Sequence, residues 1–224
     1  MAGIKPEDVD RARKREAYIA SELYRALKNS LRYIGKHRSG WVLKDVIPEY
    51  PVGDKKADLV VVGALGRHLS PLLVVEIKQR VFTRIGPSYV SAAKQAMSYA
   101  RQLDSKYFAV YDGWILLLFS TIYPYLLGAY HIPVDKLDES LAKDLLEGLL
   151  DLSYSRKRDM LDRLPRFSDV DFLRRKVLPF LARALAETRV RELKDVGIEA
   201  SEDEEREKLL KEWEEITRVS AAAL

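Results

Sequence analysis

The chain has 224 residues, 47% hydrophobic and 32% charged, with no cysteine and a formal net charge of +4. That length supports one domain plus an extension, or two small domains, and the lack of cysteine excludes disulfides, thiolate metal sites and cysteine nucleophiles. The longest apolar run, Trp114–Phe119, is only strand length, and the first residues lack the apolar core of a secretion signal. The sequence therefore reads as a soluble, cytoplasmic protein with no membrane partner. Charge is uneven: residues 1–40 and 153–197 each carry a net +5, whereas residues 198–224 carry a net −5. The basic blocks suit either a polyanion footprint or solvated helix faces.

In chain order, Ile19, Leu23, Leu27, Leu31 and Ile34 recur at three- and four-residue steps, predicting a helix over about Pro6–Ile34 that ends at Gly35. Val42–Val52 is apolar but interrupted by Pro48 and Pro51, which predicts an edge strand or hairpin arm before the Gly53-Asp54 turn. Ala57–Val62 and Leu72–Lys78 are β-branched strands with near-continuous apolar runs, as expected of a sheet covered on both faces. A helix follows over Ser88–Leu103. Strands at Lys106–Tyr111 and Trp114–Ser120 are joined by Asp112-Gly113, a strong hairpin signal. From about Val134 the chain reads as helical, with helices at Leu137–Leu152, Val170–Thr188 and Glu202–Val219. Ser201 and Glu204 form a capping-box pattern for the last of these.

Several chemistries have no support. There is no phosphate-binding Gly-x-x-x-x-Gly-Lys-Ser/Thr loop, no dinucleotide Gly-x-Gly-x-x-Gly after a strand, no Gly-x-Ser-x-Gly elbow and no His-Glu-x-x-His. His37, His68 and His131 share no ligand spacing and read as surface or loop residues.

What remains is Asp58, Glu76 and Lys78. Asp58 opens a strand that is otherwise Leu-Val-Val-Val, and Glu76 and Lys78 close one that is otherwise Leu-Leu-Val-Val. Alternation puts Glu76 and Lys78 on one face, with Ile77 on the other. Charges inside buried strands are costly unless paired or bound to a metal. Hard oxygen ligands suit Mg²⁺ or Mn²⁺, and a neighbouring lysine can hold a water beside a phosphate. Glu-x-Lys alone is common, and Glu192-Leu193-Lys194 is a second copy in a helical segment. The conjunction of both strands carries the signal; an ordinary buried ion pair is the competing account.

The run Glu49–Asp58, then Val74-Val-Glu76-Ile-Lys78, then Gln95-Ala-Met-Ser-Tyr99, then Phe108–Trp114 resembles the PD-(D/E)XK nuclease superfamily. Within it, the run looks most like the N-terminal nuclease domain of type I restriction endonuclease motor subunits. The resemblance covers about residues 10–120. The Gln-x-x-x-Tyr piece discriminates best. Ala57 stands where the name motif has proline, and Asp112-Gly113 replaces the usual Asn-Gly turn.

The resemblance implies an α/β fold: a restriction-endonuclease-like mixed central sheet flanked by helices. Residues 1–133 would form the nuclease-like core and 134–224 a helical extension for packing, dimerisation or partner docking. It implies that Asp58 and Glu76 bind Mg²⁺ or Mn²⁺ with the Ile77 carbonyl, that Lys78 activates water, and that Gln95 and Tyr99 lie beside the site. Cleavage of DNA would leave a 5′-phosphate and a 3′-hydroxyl. Members often add a glutamate from the first helix; Glu16 projects onto the centre of the Ile19–Leu31 stripe, whereas Glu22 falls off it. Glu49 is a rival. Arg80 and Arg84, in a loop directly after the site, are candidate nucleic-acid contacts, as are Arg156, Lys157 and Arg158 further on, unless the latter are a solvated helix face interleaved with Asp159, Asp162, Asp169 and Asp171. The expected function is a metal-dependent deoxyribonuclease of restriction, defence or repair type. A non-catalytic nucleic-acid-binding or assembly subunit is the alternative. A homodimer and a separate translocase or restriction subunit are the partners to consider beside DNA.

Overall fold

The computed structural model describes residues 6–79, 85–122, 126–155, 161, 163–166 and 168–222. Its centre is a six-stranded mixed sheet in the order β1 (Trp41–Val52), β2 (Lys55–Leu65), β3 (His68–Ile77), β4 (Tyr107–Tyr111), β5 (Ile115–Ser120) and β6 (Leu126–His131). Neighbours run antiparallel except β3 and β4, which are parallel. A parallel pair needs a crossover, and helix α2 (Ile85–Gln102) supplies it. Among the described residues the other α-helices are α1 (Pro6–Ser30), α3 (Glu139–Ser155), α4 (Val170–Phe172), α5 (Leu178–Asp195) and α6 (Glu202–Ala222). The fold is thus α/β, a mixed sheet flanked by helices.

The near-continuous apolar strands are explained by two cores, one on each face. Leu59, Val61, Leu73 and Val75 face Ile19, Leu23 and Leu27 of α1 and Leu145, Leu146 and Leu149 of α3. The alternating residues Val60, Val74, Phe108 and Val110 face Ala92, Ala93 and Ala96 of α2, with Leu181 and Leu185 of α5 and Leu209 and Trp213 of α6. Alanines let α2 lie close to the sheet. Each fully buried Val or Leu contributes about 1.5–3 kcal/mol, so both faces matter to stability. The helices after residue 134 pack into these same two cores: α3 lies on α1, α5 on α2, and α6 on α5 and β6. Among the described residues no helix is long and apolar enough to cross a membrane.

Three local features differ from the sequence expectation. The strand β6 is additional; Gly128 interrupts its pattern, and the Tyr130 ring folds over that glycine so closely that a Cβ there would lie 2.2 Å from the hydroxyl. The first helix ends at Ser30, followed by a 3-10 turn over Leu31–Tyr33. Between α4 and α5 the helix widens into a π segment, Leu173–Val177. Pro179 accounts for it: proline clashes with the carbonyl four residues earlier, and a widened turn relieves that clash. The capping box forms as expected, with reciprocal bonds between Ser201 and Glu204 of 3.4 and 3.2 Å.

The β4–β5 turn is built around Asp112, whose Oδ1 accepts from the amides of Trp114 (2.9 Å) and Ile115 (2.7 Å). Gly113 has φ +80°, and a Cβ there would lie 2.9 Å from Ile19 Cδ1 on α1. Gly113→Ala is expected to destabilise the protein by about 1–3 kcal/mol, read as a lowered midpoint in urea unfolding. An unchanged midpoint would mean that the turn and α1 are not locked together.

Candidate active site

The site lies where two strands part. The β2–β3 ladder has its last pair at Leu59↔Val75. Beyond it, β2 stays paired to β1 through Tyr50↔Ala57, and β3 stays paired to β4 through Glu76↔Val110 and Ile77↔Tyr111. The freed Ile77 amide donates instead to Asp58 Oδ2 at 2.6 Å. One residue on, the Lys78 amide donates to the Tyr111 carbonyl at 3.0 Å. The Gln79 amide donates to Glu16 Oε1 at 2.8 Å. Two alternate amides of the same strand end are therefore capped by carboxylates, one from β2 and one from α1.

Glu76 is buried, with 1% of its surface exposed. Its Oε1 accepts from Lys78 Nζ at 2.9 Å, while its Oε2 is buried without a hydrogen-bond partner. Burial, then the nearby Asp58 carboxylate, push the Glu76 carboxyl up to about 7, against the pull of Lys78. Asp58 is also raised, chiefly by burial, although the Ile77 amide and Lys78 oppose the shift. Burial alone would lower Lys78; the attraction of Glu76, Asp58 and Glu16 together outweighs it and the ammonium titrates above its ordinary value. Burial, more than mutual repulsion, keeps both carboxyls above their ordinary range despite the neighbouring lysine. The buried Glu76 oxygen and the hard-oxygen donor set of Asp58 and Glu76 fit a divalent cation. Among the described residues no three His, Asp or Glu side chains form a ready metal cluster. A cation here would depend on the two carboxylates and on backbone oxygen.

Of the three glutamates considered, Glu16 reaches the end of β3. Glu22 pairs with Arg25 on the helix surface. Glu49 is exposed, pairs with Lys56 at 2.9 Å and sits at φ +47°, although its charge still contributes to raising Asp58. Gln95 Nε2 donates to Tyr99 Oη at 2.9 Å on one face of α2. Among the described residues neither side chain hydrogen-bonds Asp58, Glu76 or Lys78. They line instead a polar cavity of about 450 Å³ with Lys55, Ser91, Lys94 and Ser98. Positions 91, 94 and 98 recur at helical spacing, a polar stripe among alanines that a reading centred on strands passes over. Arg80, Arg84, Arg156, Lys157 and Arg158 lie outside the described residues.

No protein-family model matches the chain, and no curated protein matches it. Among solved structures, the type IIG restriction endonuclease BpuSI aligns with a TM-score of 0.41 and 18% identity, over 81% of this chain. The chain spans 22% of that protein's length.

Proposed function

We propose that the chain is a metal-dependent nuclease hydrolysing DNA phosphodiester bonds, of the PD-(D/E)XK type, in a restriction, defence or repair setting. The observation that carries this reading is the meeting of Asp58, Glu76 and Lys78 at the parting of β2 and β3, with Glu76 Oε2 left without a partner. Asp58, Glu76 and the Ile77 carbonyl would hold Mg²⁺ or Mn²⁺, with Glu16 adjoining. Such an ion supplies charge neutralisation at a phosphate and a more acidic water. Lys78 keeps its proton, since its ammonium titrates above the ordinary lysine value. That would set a positive charge beside the pentacoordinate phosphorus, where negative charge accumulates during attack. Nζ can also donate to a water and aim it in line with the leaving oxygen. Glu16 positions the end of β3, and so Lys78, through the Gln79 amide.

A non-catalytic nucleic-acid-binding or assembly subunit is the second reading. It is favoured by the lack, among the described residues, of a third acidic or histidine side chain completing a metal cluster. One experiment separates them: incubation with plasmid and with single-stranded DNA in Mn²⁺ or Mg²⁺, with and without chelator. Cleavage that requires the metal supports the nuclease. Binding without cleavage in either metal supports the second reading.

A further inference from the structure

The turn that follows β4 carries an exposed tryptophan at the same end of the sheet as Lys78. Trp114 is 40% exposed, while Trp41 and Trp213 are 2% and 0% exposed. Its backbone is held tightly. The amide donates to Asp112 Oδ1, the carbonyl accepts from Ile132 N at 2.8 Å, and the preceding Gly113 carbonyl accepts from Val134 N at 2.9 Å. His131 supports the indole from one side, with ring centroids 4.6 Å apart and planes tilted by 51°. A large apolar ring kept rigid and partly in water is ordered before any ligand arrives.

Its position relative to the site follows from the ladder. Ile77 pairs with Tyr111, and Tyr111 pairs with Leu116 two residues after Trp114. Trp114 therefore lies about two strand spacings from the end of β3, on the order of 10 Å. Helix α1 bridges the same interval. Glu16 caps Gln79 of the site, Ile19 abuts Gly113 of the turn, and Tyr18 between them is 50% exposed. Lys14 and Arg15, both exposed, stand one helical turn before Tyr18. Aromatic faces beside basic side chains are how proteins hold unpaired nucleobases while following the backbone.

We propose that Trp114, with Tyr18, is a base-stacking platform that receives an unpaired strand and leads it to Asp58, Glu76 and Lys78. The preferred substrate class is then nucleic acid with a single-stranded stretch. This rests on the nuclease reading for the destination of the strand but not for the stacking itself. The two are tested apart.

Because the other two tryptophans are buried, intrinsic fluorescence reports on Trp114 against a constant background. The full chain in chelator is titrated with oligothymidylate, with oligouridylate and with a matched DNA duplex. Quenching by both single strands and not by the duplex is expected. Because that substitution also removes the reporting fluorophore, affinity is read from the anisotropy of a labelled oligonucleotide, where Trp114→Ala should weaken single-strand binding on the order of tenfold. Trp114→Phe, which keeps an aromatic face, should bind nearly as the parent does, and it guards against a folding artefact. Quenching of the parent by single strands, together with the anisotropy-measured affinity loss in Trp114→Ala, supports the platform even if Mn²⁺ then produces no cleavage, in which case the nuclease reading alone falls. Unchanged single-strand affinity in Trp114→Ala, or equal quenching by duplex, overturns the platform even if Mn²⁺-dependent cleavage is intact.

Discussion

Asp58→Asn is expected to end Mn²⁺-dependent cleavage while leaving the chain folded. Asparagine keeps an oxygen for the Ile77 amide, so the 2.6 Å bond that joins β2 to β3 at the site has a replacement acceptor. What it removes is the charge that would hold a cation. Glu76→Ala and Lys78→Ala remove the other two members of the set, and each should lower the initial rate by about 10²-fold or more. The three losses should not add, since the groups act as one unit. Rates on supercoiled plasmid, paired with circular dichroism and melting curves, check this. A variant that is folded and cleaves at the parent rate removes its residue from the mechanism.

The second large effect is on stability rather than rate. In chelator, the protein should lose stability as pH rises from about 4.5 to about 7. The sign follows from Glu76, whose carboxyl titrates at about 7 in the folded chain against an ordinary 4.5. Below 4.5 the group is protonated in both states and costs nothing. Between the two values the unfolded chain releases its proton first, so the folded chain falls behind, and above about 7 the penalty is complete. A shift of that size corresponds to roughly 3 kcal/mol. Asp58, raised in the same direction, adds to the slope. Glu76→Gln should flatten the profile and be more stable than the parent at pH 8. Divalent cation opposes the proton: Mn²⁺ should raise the melting temperature more at pH 8 than at pH 6, and not in Glu76→Gln. Urea titrations across this range decide it; a flat parent profile would mean that Glu76 is not held in a proton-favouring site.

The strands and the charged trio are legible in the sequence for the same reason. A run such as Leu59–Val62 must be covered on both faces, so a charge at its end stands out against it. The placement of Glu16 is legible from helical projection, because a stripe facing the sheet also fixes which carboxylate faces it. What caps it is not: the Gln79 amide is backbone, and no residue type announces it. Strand β6 is obscured by Gly128, whose role is to admit a ring two residues away. The π segment is set by Pro179 acting on a carbonyl, an effect of chain geometry within a continuous helical pattern. Trp114 reads as one more apolar strand residue. Its exposure comes from its place at the tip of the sheet, which pairing decides and composition does not.

Helix α1 touches the tail of β3 at Glu16 and the β4–β5 loop at Ile19. Three residues of helix, about 4.5 Å of rise, therefore serve as a ruler between those two points. A ruler of this kind tolerates repainting but not recutting. Changing the solvent-facing Ala17 leaves its length and phase intact, whereas inserting a single residue there turns one contact by about 100° relative to the other. For an engineer wishing to graft a tag or a sensor near the trio, that short interval is the wrong place to splice.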